Sequence, residues 1–145
     1  MEEEILLQLE NVEIRREENR VLHEASFTLR SGEFVYVIGK VGSGKSSLLK
    51  SLYCEIPIQA GAAQLMEYDL RKIKRKHIPF LRRKLGIVFQ DFQLLTDRSV
   101  WKNLEFVLKA TGWKKQAEIR ARIEEVLRQV GMPDKGYKMP HELSG

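Results

Sequence analysis

Cysteine is almost missing from this chain. Cys54 is the single example in 145 residues, so no disulfide can close within it and no cysteine cluster can hold zinc or iron–sulfur. The three histidines, His23, His77 and His141, are scattered without the spacing of a metal site. No apolar run approaches the ~20 residues that span a bilayer. The opening "MEEEILL" is acidic and has neither a basic n-region nor a long apolar h-region, which argues against a secretory leader and for a cytoplasmic location. Internal repeats, low-complexity tracts and an interdomain linker are also absent from the sequence. What remains is 43% hydrophobic and 31% charged, the composition of an ordinary globular domain with one core.

Positive charge is modestly in excess, at a net +5 and a pI near 9.4. It is unevenly placed and peaks at "RKIKRKHIPFLRRK", Arg71 to Lys84. A solvated helix face is the plainest reading of such a run. An anionic membrane surface and nucleic acid are the sharper ones. Nucleic acid is the weaker of these two, because no ladder of aromatics is interleaved to stack on bases.

The hydropathy pattern alternates through "ILLQLENVEI", Ile5 to Ile14, and again through Val21 to Leu29, predicting two strands joined by the polar turn "REENR". In the second, Val21, Ala25, Phe27 and Leu29 share a face. "FVYVIG" and "LGIVFQ" are β-branched and aromatic runs that read as buried strands. From Ser46 the period becomes helical, with Leu48, Leu49 and Leu52 on one side, and Pro57 limits that helix. "IQAGAAQLM" reads as a turn and a short strand, and "HIPFLRRKL" as a short helix entered at Pro79. Two longer helices are expected. One opens near Ser99 and stops at Gly112. In the other, Ile119, Ile123, Val126, Leu127 and Val130 form an apolar stripe ended by Gly131.

The most specific stretch is "GKVGSGKSS", Gly39 to Ser47. Gly39, Gly44, Lys45 and Ser46 match every fixed place of G-x-x-x-x-G-K-[ST], and the stretch stands between a predicted strand and a predicted helix. Glycines at 39, 42 and 44 let the backbone of Lys40, Val41, Ser43 and Ser47 curl its N–H groups around one anion. The helix beginning near Ser46 turns the positive end of its dipole to the same point. Lys45 is placed for the β- and γ-phosphates of a nucleotide, and Ser46 for Mg²⁺.

Here the chain resembles the nucleotide-binding domain of ABC transporters. The loop looks like the family's Walker A, "IVFQDFQLL" like its Q-loop with Gln90 as the glutamine, and Leu143-Ser144-Gly145 like the first three residues of its LSGGQ signature. Similarity is greatest to the cell-division members, and the lipoprotein-releasing and macrolide-exporting members are alternatives. The resemblance implies the N-terminal part of an α/β P-loop NTPase. An antiparallel β-subdomain and a P-loop strand–helix core would fill about 1–90, and the Q-loop and a helical subdomain about 90–145, with an incomplete core sheet. It also implies ATP and Mg²⁺ as ligands, with Lys45 and Gln90 in catalytic places and Ser46 and Gln90 toward the metal. A head-to-tail homodimer would sandwich the nucleotide, so that Ser144 meets the γ-phosphate held by the other copy. An integral membrane subunit would seat in a groove flanked by Phe92, Leu94, Leu95 and Trp101, whose alternative role is plain core packing. The location implied is the inner face of the cell membrane.

Two departures from the family pattern qualify these expectations. Where the family stacks adenine on an aromatic residue, this chain has Arg15 or Arg16, and a guanidinium plane can take that part. The family's Walker B strand, catalytic Glu and switch His would follow Gly145. The 145 residues are therefore expected not to hydrolyse ATP at a useful rate alone, and "FVYVI" and "LGIVF" to expose apolar edges, so that the chain self-associates, rearranges or is only partly ordered. Nucleic-acid-associated ABC ATPases are a further alternative, although they usually carry coiled-coil heptads between Q-loop and signature, and only two ordinary helices occupy that interval. A non-catalytic nucleotide-binding module is another.

Overall fold

The computed structural model describes residues 4–16 and 19–144, which form two compact units divided between Gly86 and Ile87. The first is built on a four-stranded antiparallel sheet in the order β2-β1-β3-β4. Its strands are β1 (Ile5–Arg16), β2 (Asn19–Arg30), β3 (Ala60–Leu65) and the short β4 (Tyr68–Asp69). Alternation buries Leu7 and Leu9, then skips a residue and resumes at Val12 and Ile14. The skip is a bulge: Asn11 has φ +48° and donates its N–H to Ser26 Oγ at 2.7 Å. Gly61 passes beneath it, where a Cβ would lie 2.4 Å from both the Glu10 and Asn11 carbonyl oxygens.

A second irregularity, at Glu24 with φ +46°, corrects the expected face of β2. Leu22, rather than Val21, joins Ala25, Phe27 and Leu29 against the core. The helix expected after the glycine-rich loop is α1 (Lys45–Leu52), which packs through Leu48 and Leu52, while Leu49 is exposed. The short α2 (Ile78–Arg83) follows a 3₁₀ turn at Arg75–His77 and is anchored by the fully buried Leu81.

The two runs expected as buried strands are not strands. Residues 33–40 and 85–89 pair with no strand among the described residues. Phe34, Tyr36 and Ile38 are at least 80% exposed, and Val88 is 91% exposed. A β-propensity run becomes a strand only when a ladder satisfies its backbone, and none of the four strands runs beside these segments. The apolar exposure expected of them is present.

The second unit pairs α3 (Val100–Ala110) with α4 (Gln116–Gln129). Ser99 caps α3, its hydroxyl accepting from Lys102 N at 3.3 Å. Ile119, Ile123 and Leu127 are buried against Val100, Trp101, Leu104 and Leu108. Val130 does not continue this stripe. It is 66% exposed because α4 has ended and the chain reverses at Gly131, φ +71°, so Met132 fills the place beside Leu127. No helix among the described residues is long and apolar enough to cross a membrane.

A polar knot ties α3 to the start of α4. The buried carboxylate of Glu105 accepts from Lys102 Nζ and Lys109 Nζ, both at 3.0 Å, and from Gln116 Nε2 at 3.2 Å. The Lys109 and Lys102 hydrogen bonds, with Gln116 adding to them, pull its pKa from 4.5 down to about 2. A carboxyl depressed on folding stabilises fully above its unfolded pKa and loses that contribution as pH falls through the folded value. Unfolding monitored by circular dichroism between pH 5 and pH 2 is therefore expected to show progressive loss of stability. In Glu105→Gln this acid-dependent part should shrink.

Candidate phosphate-binding site

The glycine-rich stretch leads into α1 as one compact turn. Gly42 and Gly44 take φ of +81° and +92°, a region that L side chains enter at a cost. Gly44 is the N-cap of α1 and accepts the Leu48 N–H at 2.8 Å. Its Cα faces the Val21 backbone so closely that a Cβ would stand 2.5 Å from the Val21 oxygen. A Cβ on Gly39 would likewise meet Ser43 Oγ at 2.6 Å. The loop is thus pressed between β2 and its own side chains. Val21, which the alternation assigned to the core, instead forms the floor under Gly44.

Lys45 lies inside this turn. Its Nζ donates to the carbonyls of Gly39 at 2.6 Å and Lys40 at 2.7 Å, with Ser43 Oγ at 3.4 Å. Ser43 N–H donates to the Lys40 carbonyl at 3.1 Å, which closes the loop. Ser46 is exposed at the first turn, Ser47 is buried, and Val41 projects into solvent. The first N–H groups of a helix have no partner within it, so those of Lys45, Ser46 and Ser47 face outward from the N-terminus. Residues 39–47 include two lysines, three serines and no carboxylate. A donor set of this kind fits the phosphates of a nucleotide, and the exposed Ser46 hydroxyl at the helix start suits Mg²⁺.

The far end of α1 is held too. Arg82 donates through Nε to the Tyr53 carbonyl at 2.8 Å and reaches the Cys54 carbonyl at 3.4 Å, satisfying acceptors beyond the last turn. Nothing in the periodicity of the sequence singles out this arginine within the basic run. Arg15 lies on β1 opposite Arg20, the residue before Val21, which places it one strand away from the Gly44 contact. Its guanidinium is paired with the Glu13 carboxylate on the same strand face and is half exposed.

Gln90 and Ser144 belong to the second unit. Gln90 is exposed and opens a tight reversal, in which Phe92 and Gln93 take φ of +58° and +48°. Of the four expected groove residues, Phe92 and Leu94 are exposed, Leu95 is half-buried, and Trp101 packs on the α3–α4 cluster, which is its core-packing alternative. Asn103, not singled out by the sequence, organises the segment that follows. Its Oδ1 accepts the Leu95 N–H at 2.8 Å, and its Nδ2 donates to the carbonyls of Leu95, Arg98 and Ser99 at 3.0 to 3.1 Å. Ser144 is exposed after a 3₁₀ turn, Pro140–Glu142, and Gly145 lies outside the described residues. The Glu142 carboxylate accepts the Met139 N–H at 2.7 Å, and that bond holds its pKa below the usual carboxylate range.

Residues 22–145 match the family model described as ABC transporter. The chain belongs to the ABC transporter family. Among this chain's relatives, the cell division ATP-binding protein FtsE of Bacillus subtilis (strain 168) is 42% identical over 126 residues, 87% of this chain and 55% of that protein. FtsE of Streptococcus pneumoniae serotype 2 (strain D39 / NCTC 7466) is 40% identical over 124 residues, 86% of this chain and 54% of that protein. A solved dimeric post-hydrolysis state of the ATP-binding cassette MJ0796, bound to ADP and Pi, superposes with a TM-score of 0.81 at 26% identity, over 95% of this chain and 63% of that one. The resemblance drawn from the loop, Gln90 and the last residues is therefore borne out at family level, including its similarity to the cell-division members. The chain spans about half the length of the curated relatives it matches.

Proposed function

We propose that this chain is the nucleotide-holding part of an FtsE-like ABC ATP-binding subunit, which couples ATP binding and hydrolysis to a membrane partner in cell division. The observation that carries this is the closed turn of residues 39–47, with Lys45 Nζ held at its centre by the Gly39 and Lys40 carbonyls. Lys45 and the N–H groups at the start of α1 would bind the β- and γ-phosphates of ATP, with Lys40, Val41, Gly42, Ser43 and Gly44 wrapping them through the backbone. Ser46 and Gln90 would hold Mg²⁺, which when bound neutralises the phosphate oxygens and favours transfer to water.

Arg15 would lie over the adenine after exchanging its Glu13 partner. Gln90 would orient the attacking water and report the state of the phosphates to a membrane subunit of the FtsX-like or permease kind, received beside Phe92 and Leu94. Ser144 would reach the γ-phosphate held by a second copy, in a head-to-tail homodimer at the cytoplasmic face of the membrane. That the similar cassette MJ0796 is dimeric and bound to ADP and Pi supports the pairing and the nucleotide.

Calorimetric titration of Mg²⁺-ATP into the 145-residue chain tests the reading. Saturable binding is expected, and Lys45→Ala should weaken it ~10–100-fold, since a charged hydrogen bond contributes ~1.5–3 kcal/mol. Binding that ignores the substitution would remove residues 39–47 from the site.

A further inference from the structure

The basic run has a use that nucleotide binding does not absorb. Residues 71–84 contain eight lysines and arginines, and no Asp or Glu occurs between Asp69 and Asp91. Removing those eight from the 25 basic residues leaves 17 against 20 acidic ones, so the whole positive excess of the chain resides here. The segment is rigidly seated. Leu81 is fully buried, and Ile73 and Leu85 pack on the same core, which decides the side that faces outward.

Half of these charges are engaged with the fold. Arg71 donates to the Gly61 and Gln59 carbonyls at 2.7 and 3.1 Å, Arg82 holds the end of α1, Lys84 pairs with Glu67, and Lys72 stands 3.7 Å from Asp69. The other four, Lys74, Arg75, Lys76 and Arg83, are exposed and make no ion pair among the described residues. Among them stands Phe80, 52% exposed, with the Arg83 guanidinium 5.2 Å from its ring centre.

We propose that this outward surface of the 3₁₀ turn and α2 docks on an anionic lipid bilayer, with Lys74, Arg75, Lys76 and Arg83 at the headgroups and Phe80 entering the acyl boundary. Clustered cations around one apolar side chain match what an anionic interface rewards, at about 1 kcal/mol per cation near the surface. A strand of nucleic acid would ask for a ladder of aromatics on which to stack, and among the described residues of this surface only Phe80 and His77 carry exposed rings. Docking of this kind needs no nucleotide.

The test is co-sedimentation of the full chain, without nucleotide, with vesicles of phosphatidylcholine alone and of phosphatidylcholine with phosphatidylglycerol in equal parts. Binding is expected only to the anionic vesicles and should weaken as salt is raised. Lys74→Gln/Arg75→Gln/Lys76→Gln should lower the affinity on the order of a hundredfold. Phe80→Ser, which alters no charge, should lower it several-fold and provides a second check if the triple variant loses its helical circular dichroism. Equal binding to both vesicle types, or anionic binding unchanged in the triple variant and in Phe80→Ser, would overturn the proposal. So would a DNA duplex that displaces the chain from anionic vesicles at stoichiometric amounts, which would assign the surface to nucleic acid.

Discussion

Gly44→Ala is expected to destabilise the first unit by on the order of 3 kcal/mol and to abolish measurable Mg²⁺-ATP binding. Two costs combine. The left-handed backbone at φ +92° penalises any Cβ by about 1–2 kcal/mol. That Cβ would also stand 2.5 Å from the Val21 oxygen, a contact relieved only by moving α1 off β2. Gly42 separates the two effects. Its φ is +81°, but a Cβ there would meet nothing within 4 Å, so Gly42→Ala should cost only the backbone term, about 1–2 kcal/mol. Thermal unfolding of both variants, followed by ATP titration, measures the difference. Equal losses in the two would show that the Val21 contact plays no part.

The second large effect belongs to Asn103. Replacing it by Ala strips the Leu95 N–H of its acceptor and the Leu95, Arg98 and Ser99 carbonyls of their shared donor. Groups left unpartnered at a partly buried place cost about 1–3 kcal/mol each in the worst case, and the carbonyls can recover some of that from water. The segment from Leu95 to Ser99 should loosen while the α3–α4 packing survives. Hydrogen exchange is the direct readout, with the Leu95 amide expected to exchange at least ~10-fold faster and the amides around Ile123 unchanged. Asn103→Asp keeps an acceptor for Leu95 but sets a carboxylate oxygen against three carbonyls, so it should loosen the segment at least as much as Ala does. Unaltered exchange at Leu95 in Asn103→Ala would rule out the pinning role.

These two residues show what the sequence makes legible and what it does not. The phosphate loop can be read directly, because every fixed place of its motif is occupied by the residue type that its chemistry requires. Helices α3 and α4 are also legible, since Ser99 and Gly112 bound the first, and Ile119, Ile123 and Leu127 keep a helical period that Gly131 ends in the second. The bulges at Asn11 and Glu24 are not, because one extra residue in a ladder is decided by the partner strand and leaves the local pattern ambiguous. That is why Val21 read as core and serves as the floor of the loop. The runs at 34–38 and 85–89 mislead for the complementary reason: β propensity describes a readiness to pair, and pairing is a property of neighbours. Asn103 and Arg82 escape notice because a side chain that satisfies distant backbone groups leaves no periodic trace.

The two attachments of α1 have a mechanical consequence. Eight residues at 1.5 Å each make a rod about 12 Å long, too short to persist as a helix without outside support. One end bears on β2 through Gly44, and the other is gripped by Arg82 through the Tyr53 and Cys54 carbonyls. Neither end can tilt without straining its fixture, so the rod behaves as a strut between the sheet and the basic helix. A push on the phosphate loop is then felt at α2 as displacement, not absorbed as local bending.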